Sequence, residues 1–320
     1  MSIFTNSMKS VCIIAVLFSC VFTFKAAAVE PVRVLTINVR YSTAQDGVNA
    51  WHYRRDFMME VVRDISYDFI GGQEVLVHPD PEFNQVTFMA ERLPEYGYIV
   101  LSREADANHG ESGPIFYRKD RWEVDPKQQG TFWLSDTPDV PGSITWEGQS
   151  RNPRIVTWGL FHEIDPTGNR TGFATYIYNS HFDHISDPAR RLSAAMMMQR
   201  VAERPNQDVP VIVMGDINAG ESSATVRYML GEVVEIGGEM RTPPLALLNT
   251  FRVVHPDATE VGTFNGFRDD RQVFDGNKID YILVTPEWRT TQAEIIRTRN
   301  AYGRFPTDHF PVNATIEFSP

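Results

Sequence analysis

The chain has 320 residues, 42% of them hydrophobic and 22% charged, with 21 glycines and 20 prolines that follow no repeat. This excludes a disordered, collagen-like or low-complexity chain and leaves enough apolar material for a sizeable core without covalent staples. The net charge of −11 gives no global basic field to hold nucleic acid, although a local basic patch would not show in it.

The N-terminus carries the first signal. Lys9 precedes the apolar run Val11–Phe24, and Ala26, Ala27 and Ala28 follow it. A basic start, a short apolar core and small residues at the cut are the layout of an export signal, and the run falls short of the roughly 18 residues of a membrane span. Residues 1–28 are therefore expected to be removed, leaving 29–320 as a single domain. Both cysteines, Cys12 and Cys20, would go with them, together with Lys9 and Lys25, so the mature chain would carry −13 and no disulfide. A secreted or periplasmic monomer is expected, with lipid attachment at Cys20 as the rival and Phe18 as the bulky residue that argues against it.

Beyond residue 30, apolar runs of strand length alternate with helical patterns. Val32–Val39 reads as a first strand, and Phe57, Met58, Val61, Val62 and Ile65 recur at the helical period. Phe69 and Ile70 lead through Gly71-Gly72 to Gln73-Glu74 as a second strand, and a helix is expected over about 81–93. Pro114–Tyr117, Thr131–Leu134, Ile155–Phe161 and Phe173–Asn179 read as successive β elements among turn-rich stretches. Asp187-Pro188 opens a helix reaching about Ala202, with Asp187 as its cap. In that helix Met196, Met197 and Met198 read as core rather than as a soft-metal site. Val209–Met214, Ile279–Val284 and Val312–Phe318 complete the strands. The pattern predicts an α/β fold of two packed sheets with helices outside.

The polar residues at the ends of these strands carry the chemistry. Asn38, Gln73-Glu74, Asn179-Ser180-His181, Asp216-Ile217-Asn218 and Asp280 end or begin apolar runs, and Thr307-Asp308-His309 precedes the last strand. Charged groups beside buried runs are normally paired or bind a cation. Glu74 and Asp308 are hard oxygen donors suited to Mg²⁺ or Mn²⁺, with Asn38 able to add a neutral oxygen. Asp280 and His309 can form an oriented acid or base. Asp216 can take a proton from an attacking water, while Asn218 and His181 donate to a phosphate.

In this order the motifs resemble the endonuclease/exonuclease/phosphatase superfamily with its DNase I-like fold. Gly215-Asp216-Ile217-Asn218, Thr307-Asp308-His309 and Lys278-Ile279-Asp280-Tyr281 carry the resemblance most strongly. It implies a four-layer sandwich of two mixed β-sheets flanked by helices. It also implies metal binding at Glu74 with Asn38 beside it, placement of nucleophile and phosphate by Asp216 and Asn218, phosphate contact at His181, and orientation of His309 by Asp280. Gly130–Ser135, Asn179–His184 and Thr263–Phe267 look closer to nocturnin-type and secreted bacterial phosphoesterases than to DNase I itself.

The expected activity is metal-dependent hydrolysis of a phosphodiester or phosphomonoester by in-line water attack. Substrate contacts are expected from Arg154, Arg190 and His184, with Arg191 nearby and Glu111 in a flanking loop. Trp133, Trp146, Phe264 and Phe267 are expected near the cleft. Nucleic acid is the less favoured substrate, because no cluster of lysine and arginine of the kind that marks nucleic-acid patches occurs. The rival classes are a nuclease, a non-catalytic binding protein on the same fold, and a metal-stabilised structural module, which would not need His309 with Asp280.

Overall fold

The computed structural model describes residues 30–319, so the expected export signal and both cysteines lie outside the described residues. The chain runs β1 (Val32–Asn38), α1 (Trp51–Arg63), β2 (Phe69–Gln73), β3 (Val75–Val77), α2 (Gln85–Arg92), β4 (Tyr96–Ile99), β5 (Gly110–Ser112), β6 (Ile115–Arg118) and β7 (Trp122–Trp133). It continues through β8 (Ile155–Ile164), β9 (Arg170–His181), α3 (Asp187–Ala202), β10 (Val211–Asp216), α4 (Ala224–Met229), β11 (Val234–Ile236), β12 (Glu239–Arg241) and β13 (Leu248–Asn249). The last elements are α5 (Thr250–Val254), α6 (Arg271–Phe274), β14 (Asp280–Val284), β15 (Trp288–Ile295) and β16 (Val312–Phe318).

Two six-stranded sheets carry the fold, ordered β15-β16-β1-β2-β6-β4 and β13-β14-β10-β9-β8-β7. Each is mixed: β1 and β2 run parallel in the first sheet, β9 and β10 in the second, and the remaining pairs are antiparallel. Three apolar interfaces separate the layers. Val32, Val34, Phe69 and Ile115 of the first sheet meet Phe161, Ile177, Ile212, Met214 and Ile282 of the second. Leu35, Ile37, Ile70 and Phe116 pack against Met58, Val62, Phe88 and Met89 of α1 and α2. On the far side Val211, Val213 and Tyr178 pack against Met197, Met198 and Val201 of α3 and Val226 of α4. This is the four-layer α/β sandwich that the sequence predicts. It also explains why β1 and β10 are nearly unbroken apolar runs: alternate residues face different cores, and both faces are dry. Met197 and Met198 are fully buried core residues.

Several local expectations shift. The α3 cap is Ser186 rather than Asp187, with Ser186 Oγ accepting from Ala189 N at 3.2 Å and Asp187 already inside the helix. The helix expected over 81–93 starts at Gln85, because Asn84 caps it by accepting from Thr87 N at 3.0 Å. The strand read as Thr131–Leu134 begins nine residues earlier, at Trp122. Among the described residues no helix is long and apolar enough to cross a membrane.

Candidate active site

Strand register assembles the polar residues. In the second sheet Asp216 lies directly beside His181 on one flank and Asp280 on the other. In the first, Asn38 pairs with Gln73, so the next residue, Glu74, leaves the sheet beside it. The two sheets are joined beneath this row by a buried amide pair. Gln73 Nε2 donates to Asn179 Oδ1 at 2.7 Å, and Asn179 Nδ2 donates to Gly72 O at 2.8 Å and Pro114 O at 3.0 Å. Gln73 and Asn179 therefore fix the sheets to each other at the strand ends, while their neighbours Glu74 and His181 reach the surface above.

That surface is a cleft of about 520 Å³, whose lining includes Glu74, Glu111, Arg154, His181, His184, Asp216, Asn218, Asp308 and His309. The four non-glycine residues with positive φ among the described residues are Arg40, Glu74, Asn218 and Phe267, at 57°, 56°, 52° and 59°. All four line this cleft. Left-handed backbone at bulky residues is costly and persists where the surroundings enforce it, which singles out the cleft independently of its chemistry.

Asn38 is the bridge between the sheets' chemistry. Its Nδ2 donates to Glu74 Oε1 and to Asp216 Oδ2, each at 3.1 Å, while its Oδ1 accepts from Arg40 N at 3.0 Å. Two carboxylates on one end and a backbone N–H on the other fix the orientation of the amide. Tyr41 N donates to Glu74 Oε2 at 3.2 Å. Asp216 Oδ1 accepts from Asn218 N at 2.9 Å, and Asn218 Nδ2 is spent on Phe182 O at 3.1 Å.

His309 Nδ1 and Asp280 Oδ2 are 2.9 Å apart, and both side chains are buried. On the other edge of the ring, His309 Nε2 lies 3.8 Å from Asp216 Oδ2, and His181 Nε2 approaches the same oxygen at 3.5 Å. Burial works against a charged imidazole at His309, but Asp280 and then Asp216 hold its pKa well above the usual histidine value. Burial and the neighbouring Asp280 push Asp216 up to about 7. His181 is held well below the histidine range by burial and then by Arg154, so its ring is neutral. A protonated histidine and a carboxyl group poised near neutrality thus face one another across 3.8 Å, the acid and base arrangement that hydrolysis needs.

The cations around the cleft were only partly legible. Arg154 is 3% exposed and its Nη2 meets His184 Nδ1 at 2.7 Å, so both expected substrate contacts reach the cleft. Arg190 does not: it donates to Asp183 O at 2.9 Å and pairs with Asp187 one helical turn away. Arg191 is likewise held by Asp187 and Glu235. Arg40 and Arg103, which no motif marks, take their place. Arg40 pairs with Asp46 at 3.1 Å and lies 3.7 Å from Asp308, and Arg103 Nη2 donates to Glu111 at 2.6 Å. Beneath them Arg54, 4% exposed, donates to Val39 O, Arg40 O, Asn49 O and Pro306 O, tying the Asn38 strand end to the Asp308 loop. The signal for Arg54 was its phase: it lies on the same helical face as Trp51 and Met58, where an apolar residue is expected.

Of the aromatic residues, Phe264 and Phe267 line the cleft, and the Phe264 ring packs edge-on to His309 at 5.1 Å. Trp133 is buried behind it, donating to Arg103 O at 2.6 Å. Trp146 faces a separate hollow with Met196 and Tyr228.

The donor set fits a hard divalent cation. Glu74 presents a carboxylate to the cleft, and Glu111 and His181 offer ligand atoms within 4.8 Å of it and of each other. Magnesium is held through one or two carboxylates with water and phosphate completing its shell, which this open cleft allows. Asn38 supports Glu74 through its amide nitrogen here, with its oxygen engaged by Arg40 N. Asp308 stands beside Arg40 and outside the Glu74 group.

Residues 35–309 match the family model described as endonuclease/exonuclease/phosphatase family. Among curated proteins none matches the sequence. Solved structures do. An endonuclease/exonuclease/phosphatase protein from Bacteroides vulgatus is 31% identical, with TM-score 0.74 over 91% of this chain and 100% of that one. A Bacteroides thetaiotaomicron protein described as a mannosyl-6-phosphatase is 28% identical, with TM-score 0.71 over 90% of this chain and all of that one. The human nocturnin catalytic domain shares the fold at 16% identity and TM-score 0.65, over 92% and 97% of the two chains. The chain belongs to the endonuclease/exonuclease/phosphatase family, a family of phosphoester hydrolases.

Proposed function

We propose that this protein is an exported, divalent-metal-dependent phosphoesterase that hydrolyses a compact phosphoester. The observation that carries the reading is the contact of His309 with Asp280 at 2.9 Å, facing Asp216 at 3.8 Å above the Glu74 carboxylate held by Asn38. A structural module would not need two titrating groups aimed at one space, and a cation alone would not need the histidine.

Glu74, with Glu111 and His181 close to it, would hold Mg²⁺ or Mn²⁺. Such an ion supplies positive charge against the phosphate oxygens, where charge develops in the transition state. Water attacks phosphorus on the side opposite the ester oxygen, and its proton passes to Asp216. As the bond from phosphorus to the ester oxygen breaks, that oxygen takes the proton from His309. A water bridging the 3.8 Å between His309 Nε2 and Asp216 Oδ2 carries the proton back and resets both groups. Asp280 keeps the ring in the orientation that this exchange requires.

A compact substrate is favoured over duplex nucleic acid. The whole chain is acidic, and each cleft arginine stands beside a carboxylate or a histidine. Exposed Phe264 offers a flat surface to a sugar or other organic group. The Bacteroides mannosyl-6-phosphatase supports a phosphorylated carbohydrate as the substrate class. The test compares kcat/KM in Mg²⁺ on hexose phosphates, a generic phosphoester, RNA and duplex DNA at physiological salt. The small esters should lead, and a clear preference for the duplex overturns the reading.

A further inference from the structure

Resting on the phosphoesterase reading above, we propose that Arg154 makes this cleft selective for phosphomonoesters, by binding the third non-bridging oxygen that a diester lacks. Arg154 lies at the start of β8 with 3% of its surface exposed, yet it has no carboxylate within hydrogen-bond distance. Its Nη2 donates to His184, while Nε and Nη1 have no partner at all. The nearest carboxylate, Asp183, is 3.9 Å away and already filled by Ser150 N and Oγ, Ile185 N and Ser186 N. The other candidate, Glu111, is spent on Arg103.

A buried guanidinium with two unpaired donors, whose nearest carboxylate at 3.9 Å is already filled by other donors, is expensive to keep, and the cost is relieved when an anion arrives. The place is the cleft beside His181, since both residues line it and Arg154 is the charge that most depresses the His181 pKa after burial. It is not a place for an organic substituent. Buried Arg103 lines the cleft together with Arg154, and Trp133, also buried, donates to Arg103 O at 2.6 Å and leaves no open space there. Phe264 lines the same cleft beside His309 and is 46% exposed. A diester must house organic groups on two of its oxygens, whereas a monoester houses one. The exposed aromatic side takes that one group, and the filled cationic side takes oxygen. Guanidinium suits this task because its N–H groups are fixed in direction and always charged.

The experiment uses two esters with the same leaving group, 4-nitrophenyl phosphate and bis(4-nitrophenyl) phosphate, on wild type, Arg154→Met and Arg154→Lys. Folding is checked by near-ultraviolet dichroism, and the lysine variant keeps the charge if methionine disturbs the fold. Wild type should prefer the monoester. Arg154→Met should lose roughly 10- to 100-fold in kcat/KM on it, the size of a lost charge-assisted contact, and less than about fivefold on the diester. Equal losses on both esters would overturn the proposal. Calorimetric binding of inorganic phosphate gives a second readout that does not depend on turnover. Arg154→Met should weaken it at least tenfold, and unchanged binding would refute the role. Absence of wild-type turnover on both esters would sink the phosphoesterase reading, and the phosphate titration would then still decide for or against the anion site.

Discussion

Replacing Asp280 by asparagine tests how the acid works. Asp280 is 1% exposed, and its Oδ2 is 2.9 Å from His309 Nδ1. Asparagine keeps the shape and removes the charge that does most to hold His309 protonated. A hydrogen bond to a charged group is worth about 1.5–3 kcal/mol, so Asp280→Asn should slow turnover by roughly 10- to 100-fold. Removing the ring in His309→Ala should cost more, roughly 10²- to 10⁴-fold. Because Asp280 acts through His309, the losses should not add: the double variant should be no slower than His309→Ala within about threefold. The assay is kcat on a small phosphoester for wild type, the two single variants and the double variant, with folding confirmed for each. Additive losses would show that Asp280 acts elsewhere, and an Asp280→Asn enzyme within twofold of wild type would end the pairing altogether.

Two further outcomes concern what supports the site. Gly215 has φ of 143°, and a Cβ there would sit 1.9 Å from Ser180 O, so Gly215→Ala should destabilise the fold by at least about 3 kcal/mol; a urea midpoint close to wild type would contradict this. Lys278 is fully buried under the site, donating to Asp280 O at 2.5 Å, and burial pushes its pKa down from 10.5 to about 7. Between about 7 and 10.5 the unfolded chain therefore holds a proton that the folded chain does not, and this contribution to stability rises with pH. The stability advantage of Lys278→Met over wild type should shrink by about 3.5 kcal/mol from pH 7 to pH 10, and a constant difference in urea unfolding at the two pH values would refute it.

The parts of the fold that could be read in the sequence are those whose pattern is enforced from both sides. β1, apart from Arg33 and Thr36, and β10 are apolar runs because cores lie on both faces, and their abrupt polar ends, Asn38 and Asp216, stand out for the same reason. β15 was missed because Trp288 and Ala293 are its fully buried residues, too sparse for a period. The α3 cap was displaced because Ser186 and Asp187 are both capable acceptors in sequence, and only the backbone chooses between them. In the site, Asn38, Glu74, His181, Asp216, Asp280 and His309 lie together, whereas Arg40 and Arg103 reach the cleft from loops that carry no periodicity, and Glu111, expected in a flanking loop, reaches it from the short strand β5. Arg190 illustrates the converse. Its place beside the site in sequence says nothing about direction, and Asp183 O and Asp187 hold it on the helix.

The most direct test of the account is the dependence of phosphoester turnover on a divalent cation and on Glu74. Glu74 presents to the cleft the carboxylate that Asn38 and Tyr41 hold in place. Wild type should turn over a small phosphoester in Mg²⁺, fall to background in excess chelator and recover when the ion is restored. Glu74→Gln should need at least tenfold more Mg²⁺ for half its maximal rate, and that rate should itself be lower. Full turnover in chelator, or a Glu74→Gln enzyme with unchanged metal dependence, would contradict it.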